Sequence, residues 1–300
     1  MTHSLTPQRP FGSVSVAMVT PFFDDGSIDL VSAQNLARKL VDDGCDALVL
    51  SGTTGESPTT HQPEKDDLVA AVKEAVGECA MIICGAGSND TAHAIRIAEG
   101  AARSGADGLL VVAPYYNRPS QEGVYRHVCA VTEATDLPVM LYDIPGRTGV
   151  KIEMDTLQRL AQHEQILAVK DATGDVAAGF KKMTETGLAY YSGDDSLNFA
   201  WLAHGAVGVV SVAGHIIARS LRKLVSEVDS GDLPAAREEF AKQIPLIDAI
   251  MGAGQGAVMA KEALAMLGDI TMPTVRLPLV PAATDQRKSL REALVQEGLL

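Results

Sequence analysis

The sequence predicts an α/β fold, a closed (β/α)8 barrel followed by a C-terminal helical region, and three observations carry that expectation. Eight short β-branched or aliphatic runs alternate with longer amphipathic stretches, the pattern of βα units building a parallel sheet. The first run ends in Val19-Thr20-Pro21-Phe22 rather than the Gly-rich phosphate turn that a doubly wound open sheet usually carries. After about Asp229 the alternation stops and only helical patterns remain.

The predicted strands cover residues 14–20, 47–51, 81–85, 108–112, 139–142, 167–170, 188–192 and 208–212. Each is too short for a helix, and most are rich in Val, Ile and Leu. Between them helical periodicity marks 29–42, 64–76, 91–103 and 153–162, several opened by Asp, Ser or Thr and followed by glycine. The tail reads as helices over 233–251, 256–267 and 285–298, separated by Gly- and Pro-bearing turns. Residues 1–229 are therefore assigned to the barrel and 230–300 to a helical appendage.

A chain of 300 residues with 46% hydrophobic and 21% charged residues has ample material for a core and the balance of a soluble globular protein. Its net charge of -13 argues against nucleic acid or an anionic membrane as partner, because no excess of Lys and Arg is present to neutralise phosphates. The four cysteines Cys45, Cys79, Cys84 and Cys129 lack metal-type spacing and read as reduced, buried and structural. The N-terminal residues Met1 to Pro7 show no signal-peptide pattern, so a cytoplasmic location is expected. The seven histidines are dispersed, with no paired-ligand spacing; no metal site is expected, and each reads as a surface or satisfied loop residue.

Active sites of such barrels lie at the C-terminal ends of the strands. Lys170 closes the apolar run Ile166-Leu167-Ala168-Val169, where a poorly hydrated ammonium would favour the neutral amine and suit Schiff-base chemistry. Alone, such a lysine could equally snorkel to solvent or pair with Asp171. Strand two ends in Ser51-Gly52-Thr53-Thr54-Gly55-Glu56-Ser57, offering backbone N–H groups and two hydroxyls to an anion. Tyr115 and Tyr116 follow strand four, and Tyr142 ends strand five; phenols there can form a Tyr-Thr-Tyr proton relay or simply cap the barrel mouth. Arg147 follows a Pro-Gly turn and suits a carboxylate, unless it pairs with a loop acid such as Asp143. Gly193 after strand seven and Val210 in strand eight leave room over the lysine. An amine, a relay, anion donors and an arginine together fit a keto acid held as an imine.

The motifs Gly52-Thr53-Thr54-Gly55-Glu56-Ser57, Tyr115-Tyr116-Asn117-Arg118-Pro119, Tyr142-Asp143-Ile144-Pro145-Gly146-Arg147-Thr148-Gly149 and Val169-Lys170-Asp171, in this order, closely resemble those of the dihydrodipicolinate synthase family. That family belongs to the pyruvate-dependent class I aldolases related to N-acetylneuraminate lyase. The resemblance implies condensation of pyruvate with L-aspartate-4-semialdehyde in diaminopimelate and lysine biosynthesis, without metal or organic cofactor. It further implies Lys170 as the Schiff-base residue and Thr53, Tyr142 and Tyr116 as proton relay, with Tyr116 lent across a dimer interface of a homotetramer. Thr54 would hold the pyruvate carboxylate with Thr53, Arg147 the semialdehyde, Gly193 and Val210 would make backbone contacts around the imine, and Tyr115 would pack at the interface.

Two other readings compete. Another pyruvate aldolase, of the neuraminate or keto-deoxy-sugar-acid type, generally lacks an arginine like Arg147, and a non-catalytic pyruvate sensor would not need Lys170, Tyr142, Thr53 and Tyr116 intact. Feedback-inhibited members of the family hold lysine in an interface cleft using histidine and an acid. At the matching positions this chain has Pro58, Gln62, Lys65 and His93 beside Tyr115 and Asn89, so insensitivity to lysine is expected unless Glu56, Glu64 or Asp90 receives the ammonium.

Overall fold

The computed structural model describes residues 9–252 and 254–300; the N-terminal segment read above, with His3, lies outside them. Eight parallel strands close into a barrel in sequence order, the last pairing with the first. They are β1 (Val14–Ala17), β2 (Ala47–Leu50), β3 (Met81–Gly85), β4 (Gly108–Val112), β5 (Val139–Asp143), β6 (Ile166–Asp171), β7 (Ala189–Ser192) and β8 (Gly208–Ser211). The helices, in chain order, are α1 (Leu30–Asp42), α2 (Glu64–Val76), α3 (Thr91–Arg103), α4 (Gln121–Thr132), the single turn α5 (Pro145–Thr148), α6 (Met154–Leu160), α7 (Val176–Thr186), α8 (Asn198–Ala203), α9 (Gly214–Asp229), α10 (Leu233–Ile247), α11 (Gly256–Leu267) and α12 (Thr284–Gln296).

The two-residue period of the strands sorts side chains to either face. Ala47, Val49, Ile83, Leu110, Met140, Tyr142, Ala168, Tyr191 and Val210 share a cluster inside the barrel, while Leu48, Leu50, Ile82, Cys84, Leu109, Leu141 and Val169 join the larger layer beneath the helices. Cross-strand register sets Tyr142 beside Lys170 and Lys170 beside Tyr191, all on the inward parity. That register decides where the chemistry can sit.

Several boundaries differ from the sequence reading, each with a local cause. The first strand stops at Ala17 rather than residue 20, because Val19 N–H donates to His215 Nε2 at 3.1 Å instead of to a ladder carbonyl. Asp29 and Glu153 stand at N-caps, and the Asp29 carboxylate accepts from Ser32 N–H. In the tail α10 holds Pro245 and ends at Ile247, with Asp248–Gly252 winding as a π-helical turn. Two further expectations fail. Cys79 is exposed and Cys129 half-buried, so only Cys45 and Cys84 sit in the core. His127 and His215 are buried in helices rather than lying on surface loops. His215 Nε2 accepts from Val19 N–H while Nδ1 donates to the Val212 carbonyl, and burial holds its pKa near about 4, so the ring is a neutral structural hydrogen-bonding unit.

Candidate active site

Lys170 lies at the end of β6 with 4% of its surface exposed. Burial lowers its pKa to about 8; the nearby carboxylate of Asp195 works against that shift and Arg147 adds to it. The ammonium sits 4.3 Å from the centroid of the Tyr142 ring, and it makes no hydrogen bond or ion pair with any described residue. The alternatives of snorkelling or of pairing with Asp171 are thus excluded: Asp171 accepts from the Thr173 hydroxyl and N–H at 2.7 and 2.9 Å.

Tyr142 is equally buried, and burial pushes its phenol up to about 12, with a hydrogen bond from Thr53 drawing it the other way. Thr53 sits in the turn after β2 and Tyr142 at the end of β5, so the barrel's closure brings the two together. Both line a cavity of about 220 Å³ at the strand ends, shared with Ser51, Tyr115, Ile144 and Arg147. Val210 faces the same interior from β8, and Gly193 packs against the lysine stem: a methyl there would lie 3.0 Å from Lys170 Cε and 2.9 Å from the Asp171 carbonyl. Glycine at 193 is what lets the backbone approach the amine.

The remaining predicted residues occupy the rim. Thr54 is buried beside exposed Thr53. Arg147 projects from α5 into solvent, its Nη2 only 3.5 Å from Gln255 Oε1 of the C-terminal region. Its suggested partner Asp143 pairs instead with Lys182 at 3.2 Å, leaving the guanidinium uncommitted to any acid among the described residues. Tyr115 lines the cavity, whereas Tyr116 is 87% exposed on a left-handed backbone with φ of 73°, its N–H donating to the Thr148 carbonyl. The site within one chain therefore contains Lys170, Tyr142 and Thr53, with Tyr116 directed outward. Among the described residues no group of three or more His, Cys, Asp or Glu is placed to hold a metal ion.

The sequence profile of the dihydrodipicolinate synthetase family matches residues 10–297. The chain belongs to that family. Among members of the dihydrodipicolinate synthetase family, the 4-hydroxy-tetrahydrodipicolinate synthase of Corynebacterium aurimucosum is 53% identical over 291 residues, covering 97% of this chain and 96% of the relative. Two crystal structures are similar throughout. The chloride-inhibited dihydrodipicolinate synthase from Acinetobacter baumannii complexed with pyruvate superposes with a TM-score of 0.93 at 36% identity, covering 97% of this chain and 100% of that one. The enzyme from Cyanidioschyzon merolae with lysine bound has a TM-score of 0.93 at 39% identity, covering 98% and 100%.

Sequence reasoning passed over several residues that shape this family member's site. Asp195 is buried behind Lys170, its carboxylate accepting from Val212 and Ala213 N–H at 2.9 and 2.8 Å, from Asn198 Nδ2 at 3.1 Å and from the Ser211 hydroxyl. Four hydrogen-bond donors hold that carboxylate. Gly85 admits the Ser51 carbonyl to within 2.3 Å of where a Cβ would stand. Its place at the end of a strand was the available signal. Glu56, read from the sequence as part of a motif and as a possible ammonium acceptor, is tied instead to Lys261.

Proposed function

We propose that this barrel is a 4-hydroxy-tetrahydrodipicolinate synthase, condensing pyruvate, held as an imine on Lys170, with L-aspartate-4-semialdehyde. The observation that carries it is Lys170 itself: a buried amine with pKa about 8, unpartnered among the described residues, against the ring of a tyrosine that shares its cavity with Thr53. A neutral fraction is then available near neutral pH, as nucleophilic attack requires.

The amine attacks the ketone carbon of pyruvate and water leaves, giving the imine. Its nitrogen withdraws electrons from the methyl carbon, which loses a proton to become an enamine. The enamine carbon adds to the aldehyde of the second substrate, whose own amine then displaces Lys170 as the ring closes. Tyr142, whose ring lies against the lysine, is the acid-base group, and Thr53 hands protons on. Thr53 and Thr54 hold the pyruvate carboxylate, Arg147 the semialdehyde, and the backbone at Gly193 and Val210 flanks the imine. No cofactor takes part in these steps.

Tyr116 completes the relay from a partner subunit, within a homotetramer built as a dimer of dimers. Its exposed phenol and left-handed backbone support that role, as does Tyr115 turning inward beside it. Mixing Tyr116→Phe with Lys170→Ala subunits should restore activity, since one site of each heterodimer receives both intact residues; no rescue after verified exchange would contradict sharing. A cytoplasmic setting is part of the proposal, supported by the four free thiols. No helix among the described residues is long and apolar enough to cross a membrane.

The test is a pyruvate- and semialdehyde-dependent assay joined to borohydride trapping. A reduced pyruvate adduct on the Lys170 peptide, with turnover, is expected. Label on another lysine, or turnover with a sugar acid in place of the semialdehyde, would overturn the assignment.

A further inference from the structure

The turn that bears Thr53 and Thr54 is bracketed by two non-glycine residues in the left-handed region, Ser51 with φ of 52° and Glu56 with φ of 57°. L-residues adopt that conformation only when their surroundings impose it. At Ser51 the missing side chain of Gly85 allows the approach. At Glu56 the constraint comes from outside the barrel. One carboxylate oxygen accepts from Lys261 Nζ of α11, and the other accepts from Arg276 N–H at 2.9 Å. Glu56 and Lys261 are 2% and 0% exposed.

The same segment grips the turn's flanks. Lys261 also donates to the Thr274 carbonyl at 2.8 Å and stands 4.0 Å from the Phe22 ring centroid, whose ring the Arg276 guanidinium also covers, at 4.4 Å. Arg276 further donates to the Thr59 carbonyl at 2.7 Å and the Gly26 carbonyl at 2.9 Å, and pairs with Glu64. On the inner side Glu56 N–H donates to the Thr53 carbonyl at 3.1 Å, and the Thr20 hydroxyl donates to the Gly55 carbonyl at 2.8 Å. The Glu56 carboxylate and the Lys261 ammonium are spent on each other and on the Arg276 N–H and Thr274 carbonyl, at the junction of the turn with the C-terminal region.

We propose that Glu56, Lys261 and Arg276 are positioning residues, a clamp by which the C-terminal region holds the Thr53–Thr54 turn in register with Tyr142. The inference deepens the proposed function and rests on it. Imine formation needs Lys170, which sits on another strand; the turn serves it only by holding the pyruvate carboxylate, a binding contribution that saturating pyruvate offsets. Loss of the methyl proton needs the hydroxyl of Thr53 at Tyr142, and so depends on the turn.

The two steps can be read separately in Glu56→Gln, Lys261→Met and the double variant, each assayed where circular dichroism shows it folded. Borohydride trapping on Lys170 at saturating pyruvate reports the imine. Deuterium exchange into the pyruvate methyl in D2O, followed by proton NMR, reports the enamine. Trapping should stay within about twofold of the parent, while exchange falls about tenfold to a hundredfold, the scale of a small misplacement of a catalytic group. Should the single variants fail to fold, the double variant, which buries no uncompensated charge, carries the same test. Parental exchange in folded variants, or equal loss of trapping and exchange, overturns the clamp. Failure of the parent enzyme to trap pyruvate overturns the catalytic reading instead.

Discussion

Lys170 at the end of β6 and Lys261 in α11 are both buried, and burial depresses both to about 8, yet their surroundings give them opposite work. Lys261 is held by the Glu56 carboxylate, a backbone carbonyl and an aromatic face, so every direction around its ammonium is occupied. Among the described residues Lys170 has only the face of Tyr142. Desolvation alone therefore does not make a nucleophile. It makes a lysine whose proton is easily lost, and the presence or absence of partners decides whether the lone pair is free. Lys65 falls between the two: buried, lowered to about 8, and tied to Ser57 and Thr60 by neutral oxygens at 2.8 to 3.1 Å.

The comparison breaks most decisively at Lys170. Lys170→Ala should abolish borohydride trapping and reduce turnover by about 10³-fold or more, as loss of a covalent nucleophile does. Retention of trapping on Lys65 or Lys261 would show that partners do not discriminate among these amines. Tyr142→Phe keeps the ring over the amine and removes the hydroxyl. Turnover should drop about 10²-fold or more, the range for a general acid-base group, while trapping survives; a smaller loss would assign the proton transfers elsewhere.

Arg147 tests the opposite case, a cation left in water with no acid partner among the described residues. Arg147→Ala should raise KM for the semialdehyde about tenfold or more, since bonds to charged groups contribute about 1.5–3 kcal/mol, and trapping should persist. Loss of trapping with an intact fold would move its role to imine formation. The pH dependence sharpens the same point. Attack requires the unprotonated amine, so trapping should accelerate as pH rises and level off above about 8, slowing about tenfold between pH 7 and 6. A rate that kept rising about tenfold per pH unit well above 8 would mean that Lys170 keeps no depressed pKa.

The smallest expected effect is that of free lysine. The buried Lys65 stands where feedback-inhibited relatives are expected to hold histidine, and the three nearby acids are committed. Glu56 serves Lys261 and Arg276, Glu64 pairs with Arg276, and Asp90 caps α3 through Ala92 N–H. Initial rates should be unchanged by lysine up to millimolar levels. Half-inhibition below about 1 mM, roughly -4 kcal/mol of binding, would show that the cleft still admits the ammonium.

Most of the barrel was legible because parallel strands covered on both faces must be short and apolar, and their alternation with amphipathic stretches leaves few architectures. The candidate residues were legible for a related reason: in a barrel, sequence order alone places strand ends on one rim. Boundaries failed where a distant group supplied a backbone partner, as His215 does for Val19.

What the sequence by itself determined is the fold class and the set of side chains at the mouth, since both follow from local periodicity and chain order. Only the tertiary structure decided which of them matter to one another. The register of β5 on β6 puts Tyr142 against Lys170, and barrel closure brings Thr53 to Tyr142. Folding of the C-terminal region brings Lys261 to Glu56 across 205 positions of sequence. Burial and pairing are properties of the space around a group, and nothing local to a lysine in the chain distinguishes a free amine from a bridged one.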